Sequence, residues 1–445
     1  MKRDGNGLRL SASDLMRFMA CSHATRLDLA FLAGQGPQPT DDGEDAVLLQ
    51  RYGDAHEAAH LAQLERSGAR IIRIEKDGVA FDEAIKATLE ALRQGPDVVF
   101  QGALEGGMWG GYSDFLERVD LPSKLGGFSY EVADTKLKRK PAPAHVLQLV
   151  LYSDLLAAVQ GRSPERAHVE LGDGKRFSFR LAEYAAYARS ARERLESFVV
   201  EPTKTRALPC AICSLCRWRE HCAGEWEQED SLFRVAGITK AQVQKFEATG
   251  ITTMATLAQQ HGHVPKMAEA TLEKLRTQAA LQQERKGGEP SYALRPPLPG
   301  KGFDLMPRPD PGDLYYDIEG DPFYAESGAE GLEYLHGVWD GKTFNAFWAH
   351  DLAEEKEALV ALFALFEHGI TQNPGAHIYH YASYEITALR KLTSRHGVGE
   401  AQLDRWLRER RFIDLYAVVR GGVYASEPSY SIKDMDFTIF RARAR

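Results

Sequence analysis

Two aspartates and a lysine have the types and spacing to act on a phosphodiester: Asp114 in "GYSDFLERVD", and Asp134 and Lys136 in "EVADTKL". Each aspartate lies in a stretch that alternates like a β-strand. Strand side chains alternate with period two, so Asp134 and Lys136 share one face. Two carboxylates suit Mg²⁺ or Mn²⁺, which prefer oxygen ligands, and a neighbouring ammonium orients or polarises the attacking water or the phosphate. Just downstream, "QLVLY" sets Gln148 and Tyr152 four apart on a helical pattern and so on one helix face. Upstream, His56, Glu57 and His60 spell "HEAAH", the zinc-protease pattern with two histidines one turn apart and a Glu that activates water. No third-ligand signature follows it, and a plain surface helix accounts for it better.

A second group is made of thiols. "CAICSLCRWREHC", residues 210–222, carries four of the five cysteines, and the fifth, Cys21, stands 189 positions earlier (210 − 21). An odd count in a chain without secretion signals argues against a disulfide frame, and bunched cysteines in a reducing compartment point to a metal. By ligand type, Cys210, Cys213, Cys216 and Cys222 suit a Cys₄ zinc site, which leaves Cys21 unexplained. A third group is acidic. "YYDIEGDP" sets Asp317 and Glu319 two apart on one strand face, Glu385 follows at a strand-to-helix junction, and Asp414 stands in "FIDLY". Two-metal nucleases need such carboxylates from several elements, clustered around two cations about 4 Å apart.

Taken in order, His56, Asp114, Asp134-x-Lys136 and Gln148-x-x-x-Tyr152 resemble the RecB-type branch of the PD-(D/E)XK nucleases. The resemblance implies a restriction-endonuclease-like α/β fold in which His56, Asp114 and Asp134 bind the catalytic metal. It also implies that Lys136 assists the nucleophile and that Gln148 and Tyr152 contact DNA. Several relatives in that branch, including the AddAB subunit and CRISPR-associated exonucleases, have one early cysteine and three late ones spaced C-x₂-C-x₅-C. Cys21, Cys213, Cys216 and Cys222 fit that pattern, which implies a [4Fe–4S] cluster fastening the first helix to the last segment and leaves Cys210 as a spare thiol. The later acids resemble the RNase H-like DEDD exonucleases, although "HYASYE" has Tyr381 and Glu385 where that family has Asn and Asp. The family's last acid follows a "SLK"-like step; "YSIKDM" ends ten residues before the chain does (445 − 435), and Asp434 and Asp436 come early for that role, so an incomplete domain is expected. The combined layout resembles bacterial RecB-like nucleases in which two such domains precede a helicase. "HGVWDGKTF" is one residue short of a P-loop and reads as a hairpin turn at Asp340-Gly341, so no ATPase motor is visible.

The elements that must position these residues give an α/β multidomain chain. Residues 1–228 read as the nuclease domain, with helices over 11–33, 44–66 and 144–161 around a mixed sheet. Residues 229–285 repeat a Gly-Ile step between short helices, similar to helix-hairpin-helix modules; a plain helical spacer is the alternative. Residues 286–312 read as a Pro/Gly linker, and 313–445 as the RNase H-like domain. At 44% hydrophobic and 27% charged, 445 residues can bury two or three cores. A net charge of −8 argues against an overall basic surface, so "TKLKRKP" and "RWLRERR" support but do not found a nucleic-acid reading. With no apolar run of about 18 residues and no signal-peptide core, a cytoplasmic protein with no membrane partner is expected. The sequence thus points to an Mg²⁺- or Mn²⁺-dependent deoxyribonuclease acting on single strands or duplex ends, with a helicase region or partner. A non-catalytic nucleic-acid scaffold is the alternative, and a zinc protease is the remoter one.

Overall fold

The computed structural model describes residues 1–445 except 6, 42, 286–287, 327–328 and 436–445, so Asp436 lies outside the described residues. The chain divides into two compact units, Met1–Glu225 and Trp226–Arg445. Among the described residues, no helix is long and apolar enough to cross a membrane.

The first unit opens with a hairpin of β1 (Lys2–Asp4) and β2 (Gly7–Arg9). Its main sheet has the order β3-β4-β5-β6-β7-β8, with β3 Ile71–Arg73, β4 Val98–Gly106, β5 Trp109–Val119, β6 Ser129–Lys136, β7 Arg166–Leu171 and β8 Arg176–Arg180. β6 pairs antiparallel with β5 and parallel with β7, and it is buried from Ser129 to Thr135. The parallel pair requires a crossover, supplied by α5 (Pro143–Gln160). Pro143 at its first turn suits a helix start, and Gly161 in the left-handed region (φ 65°) ends it. α5 is apolar almost all round because it lies between the sheet and two other helices, α1 (Ala12–Ala20) and α6 (Ala185–Val200). Leu116 and Val132 belong to the core under α5, whereas Phe115 and Ala133 pack with Leu61 of α3 (Glu44–Arg66) on the other face. α4 (Phe81–Gln94) packs on β4.

The helix expected over 11–33 is two helices. Cys21 breaks it, closing α1 and capping α2 (Ser22–Leu32) in extended geometry (φ −157°, ψ 100°). That break brings the Cys21 thiol to the cysteine segment, which runs into the first turn of α7 (Arg219–Gln228). Asp28 of α2, fully buried, fastens that segment: it meets Arg17 at 2.8 Å and accepts hydrogen bonds from Arg217 Nε (3.0 Å) and Trp218 Nε1 (2.8 Å).

In the second unit, α8 (Lys240–Glu247), α9 (Met254–Ala258) and α10 (Glu269–Arg285) enclose a small core. Gly237 (φ 78°) and Gly250 (φ 82°) make the left-handed turns that precede the capping boxes of Thr239 and Thr253. The segment read as a linker is paired: β9 (Tyr292–Leu294) runs antiparallel to β15 (Val423–Ala425). A Cβ at Gly302 would stand 2.6 Å from the Gly421 carbonyl carbon, so that approach requires glycine. The sheet has the order β12-β11-β10-β13-β14, from β10 (Leu314–Glu326), β11 (Ala329–Trp339), β12 (Phe344–Trp348), β13 (Ile378–His380) and β14 (Phe412–Asp414). The hairpin turn between β11 and β12 falls at Asp340-Gly341. Helices α11 (Leu352–Gln372), α12 (Tyr384–His396) and α13 (Glu400–Arg408) pack on one face, with α14 (Leu415–Gly422) and α15 (Ile432–Met435) after β14.

Removing Asp28 would strand the Trp218 N–H in a buried site and take from Arg17 and Arg217 their nearest carboxylate. Asp28→Ala is therefore expected to lower the stability of the first unit by about 3 kcal/mol. Urea unfolding followed by tryptophan fluorescence measures it, and Asp28→Asn, which keeps an acceptor, should cost less.

Candidate metal-dependent active site

The register of the central strands assembles the site. Phe115 pairs with Ala133 and Leu116 with Val132, so one step further along the same ladder Asp114 stands across from Asp134. Both belong to the face that carries α5, as Leu116 and Val132 do. Asp134 is 2% exposed and its Oδ2 is 2.6 Å from Lys136 Nζ. Burial, and then the negative charge and contact of Asp134, hold the Asp114 carboxyl well above the usual carboxylate range; Lys136 opposes this only in part.

α5 closes the site from above. Tyr152 is buried, and its hydroxyl lies so near β5 that a Cβ on Gly111 would be 2.6 Å from it. Burial and the charges of Asp114 and Asp134 raise its pKa, so it remains an O–H donor at neutral pH. Gln148, one turn earlier on the same helix face, is half-buried. His145, which the sequence did not single out, is buried in the first turn of α5 and accepts the Ala142 N–H at Nδ1 (3.3 Å). Burial and Lys136 push its pKa down to about 4, leaving it neutral.

The helix with "HEAAH" enters differently from the expectation. His56 Nε2 is 3.4 Å from the Glu170 carbonyl oxygen, at the end of β7, and His60 packs edge-on to Phe115 (centroids 4.9 Å apart). Glu57 accepts a hydrogen bond from Gln101 Nε2 at 2.5 Å; burial raises its pKa, with the charges of Asp134 and Asp54 adding to this and Gln101 and Lys76 opposing it. The structure therefore brings Asp114, Asp134 and Lys136 together with Tyr152 and His145 near them, and sends His56 toward β7; among the described residues, no three of His56, Glu57, Asp114 and Asp134 have ligand atoms all within 4.8 Å of one another. The chemistry of the donors fits Mg²⁺ or Mn²⁺: paired carboxylates, one of them buried and met by a single ammonium.

The five cysteines lie together. Cys210 Sγ is 3.5 Å from Cys213 Sγ, Cys21 interacts with Cys210, and Cys222 lies within reach of the charges of Cys216, Cys21 and Cys213. Burial raises the thiols of Cys21 and Cys213 and pushes Cys222 up to about 12, so metal binding here would release protons. Beside them, His23, Cys222 and Glu225 form a further group with all ligand atoms within 4.8 Å of one another.

In the second unit, Asp317 and Glu319 share the exposed face of β10 with Tyr315. Tyr315 lies across from Trp339, and Trp339 from Phe344, giving a row of exposed aromatic rings beside the acids. Glu385 is buried 3.6 Å from His380 on the stripe of α12 that packs into the core. Asp414 Oδ1 accepts the N–H groups of Ala382 (3.0 Å), Tyr416 (2.9 Å) and Ala417 (3.3 Å), a helix-capping role. Among the described residues, no three of these four acids have oxygens all within 4.8 Å of one another. A carboxylate missed by the sequence reading, Glu333 of β11, is buried and accepts the Tyr384 hydroxyl at 3.0 Å.

The family model of the RNase H superfamily matches residues 314–444, the stretch that begins with β10. The C-terminal segment is thus RNase H-like, which supports a nuclease-type function tied to nucleic acid. No curated protein matches the chain.

Because the Asp114 carboxyl is raised above its ordinary value, the folded unit favours its protonated form, and stability held at low pH is lost as pH rises through the raised pKa. At neutral pH without divalent cation, Asp114→Asn is expected to raise the melting temperature by roughly 2–4 °C, about 1 kcal/mol. Added Mn²⁺ should stabilise the wild type and not the variant, as differential scanning calorimetry would register.

Proposed function

We propose that the first unit is a metal-dependent deoxyribonuclease of the RecB type, joined to an RNase H-like domain that engages the same nucleic acid. The carrying observation is the pair Asp114 and Asp134 in register on adjacent strands, with Lys136 2.6 Å from Asp134. Mg²⁺ or Mn²⁺ held by these carboxylates would activate water and stabilise charge on the phosphate. Lys136, 26% exposed and so open to a ligand, orients the attacking water and neutralises phosphate charge. Tyr152, kept protonated, donates a hydrogen bond toward the site, and Gln148 on the same helix face meets the DNA. In the second unit, the row Tyr315, Trp339 and Phe344 offers bases a stacking surface next to Asp317 and Glu319.

We further propose that the thiols hold a [4Fe–4S] cluster through Cys21, Cys213, Cys216 and Cys222. The gathering of Cys21 with the late cysteines supports a site that uses Cys21, as a zinc site of Cys210, Cys213, Cys216 and Cys222 would not; Cys210, which interacts with both Cys21 and Cys213, lies beside that site. The cluster would tie the α1–α2 junction to the end of the unit. A helicase region or partner fits the same reading.

Purified chain incubated with end-labelled single-stranded and duplex DNA and Mg²⁺ or Mn²⁺ tests the activity. Lys136→Ala is expected to lose about 10²-fold or more in rate, while Asp317→Asn separates out any cutting by the second unit. Equal cleavage by wild type and Lys136→Ala would contradict the assignment. Anaerobically purified protein should absorb broadly near ~400 nm, as thiolate-bound iron does and d¹⁰ zinc does not. Cys21→Ser should lose iron and Cys210→Ser should keep it.

A further inference from the structure

We infer that His23, Cys222 and Glu225 form a site for a single zinc-class divalent ion, with His221 and Thr205 as its positioning residues. This site lies beyond the cluster reading and does not depend on it; Cys222 is common to both, so a chain carries either the cluster or this ion. Three observations carry the inference. First, among the described residues this is the one set of His, Cys, Asp or Glu side chains whose ligand atoms all lie within 4.8 Å of one another. His23 Nε2 is 3.3 Å from Glu225 Oε2, longer than the usual N–H···O range. A tetrahedral ion with bonds of about 2.0–2.1 Å sets its nitrogen and oxygen ligands roughly 3.3 Å apart. The two atoms thus already have the separation that such an ion needs.

Second, the remaining polar atoms of these side chains have partners that would orient them. A metal on Nε2 requires the imidazole proton at Nδ1, and Thr205 Oγ1 stands 2.9 Å from Nδ1, able to accept it. His221 Nε2 is 3.2 Å from Glu225 Oε1, one turn away on α7, so it holds the carboxylate by one oxygen and leaves Oε2 toward His23. Cys222 and Glu225 are three apart on α7 and share a face. Third, protein contacts set the two helices against each other. His23 is buried in the first turn of α2, and the fully buried Trp218, just before α7, packs with Ala24 and Leu27 of α2 and with Cys222. Glu225, with 31% of its side chain exposed, gives an ion a way in and leaves a fourth position to water. An imidazole nitrogen, a thiolate and a carboxylate together select Zn²⁺ or Co²⁺ over Mg²⁺ and Ca²⁺, which take oxygen ligands. Binding releases the Cys222 thiol proton to solvent.

The test uses the full chain freed of iron, kept reduced and loaded with one equivalent of Zn²⁺ or Co²⁺. X-ray absorption at the zinc edge of the wild type is expected to show one sulfur neighbour at about 2.3 Å and the rest nitrogen or oxygen at about 2.0–2.1 Å. Three or four sulfur neighbours would place the ion among the thiols and overturn the inference. Co²⁺ gives a thiolate charge-transfer band by which affinity is followed. Glu225→Gln and His23→Ala are each expected to bind Co²⁺ roughly tenfold or more weakly, whereas Cys213→Ser should stay within about twofold of wild type. Affinity within about twofold of wild type in Glu225→Gln would contradict the inference as well. Glu225 is partly exposed and glutamine keeps its shape, so this variant decides alone if circular dichroism shows that His23→Ala does not fold. Both measurements are made without iron, so failure of the cluster reading leaves their outcome untouched.

Discussion

Asp114 and Asp134 stand opposite one another on adjacent strands of a sheet whose middle strand is buried, and the charge they carry there constrains the whole first unit. Two unit charges about 4 Å apart repel by roughly 4 kcal/mol even at an effective dielectric constant near 20. Lys136 balances one of them. What remains shows in the raised pKa of Asp114. A sheet core would not hold such a pair for stability alone. The apolar α5 above it and the cluster of Leu61, Phe115 and Ala133 beneath supply the burial that keeps the strands in register. The left-handed Gln101 belongs to the same arrangement, since a strained backbone persists only where its surroundings over-determine it.

The same unit must keep its ends together. Its first helices and its last segment are nearly the whole unit apart in sequence, yet Asp28 meets Arg217 and Trp218, His23 meets Thr205 (2.9 Å), and Thr40 donates to the Arg217 carbonyl (2.8 Å). These contacts are made between protein groups, so a protein frame brings the two ends of the unit together around the cysteines. A frame that preforms a ligand set lowers the ordering cost of filling it.

Much of this was legible in the sequence because it was local. Period-two alternation put Asp134 and Lys136 on one strand face, and the apolar pattern ending at glycine gave α5 with Gln148 and Tyr152 on one side. The partner role of Cys21 came from a family resemblance and not from spacing. The parts that were missed depend on azimuth and tertiary contact. "HEAAH" announces a helix but not which side chain faces the site, and that depends on how α3 lies against β6. The break at Cys21 has no glycine or proline to announce it. β7 and β8 were not read, because "RAHVEL" and "RFSFR" carry many polar residues; Arg176 meets Glu117 of β5 and Glu170 of β7 (2.7 Å) there. In the second unit, Asp414 reads as a metal ligand by type but caps a helix by position. Glu355, fully buried between Arg395 (2.8 Å) and His396 (2.6 Å), organises α11 and α12 through contacts that no motif encodes.

The RNase H-like segment ties the chain to nucleic acid, and the first unit offers it an acidic centre under a lysine. Whether that centre holds a catalytic cation is the point on which the account turns. Crystals grown with Mn²⁺ and measured at the manganese absorption edge answer it directly. The account predicts an anomalous peak within bonding distance of the carboxylates of both Asp114 and Asp134, beside Lys136. A map in which Mn²⁺ occupies only other sites, while Asp114 and Asp134 share a proton and no metal, would contradict it.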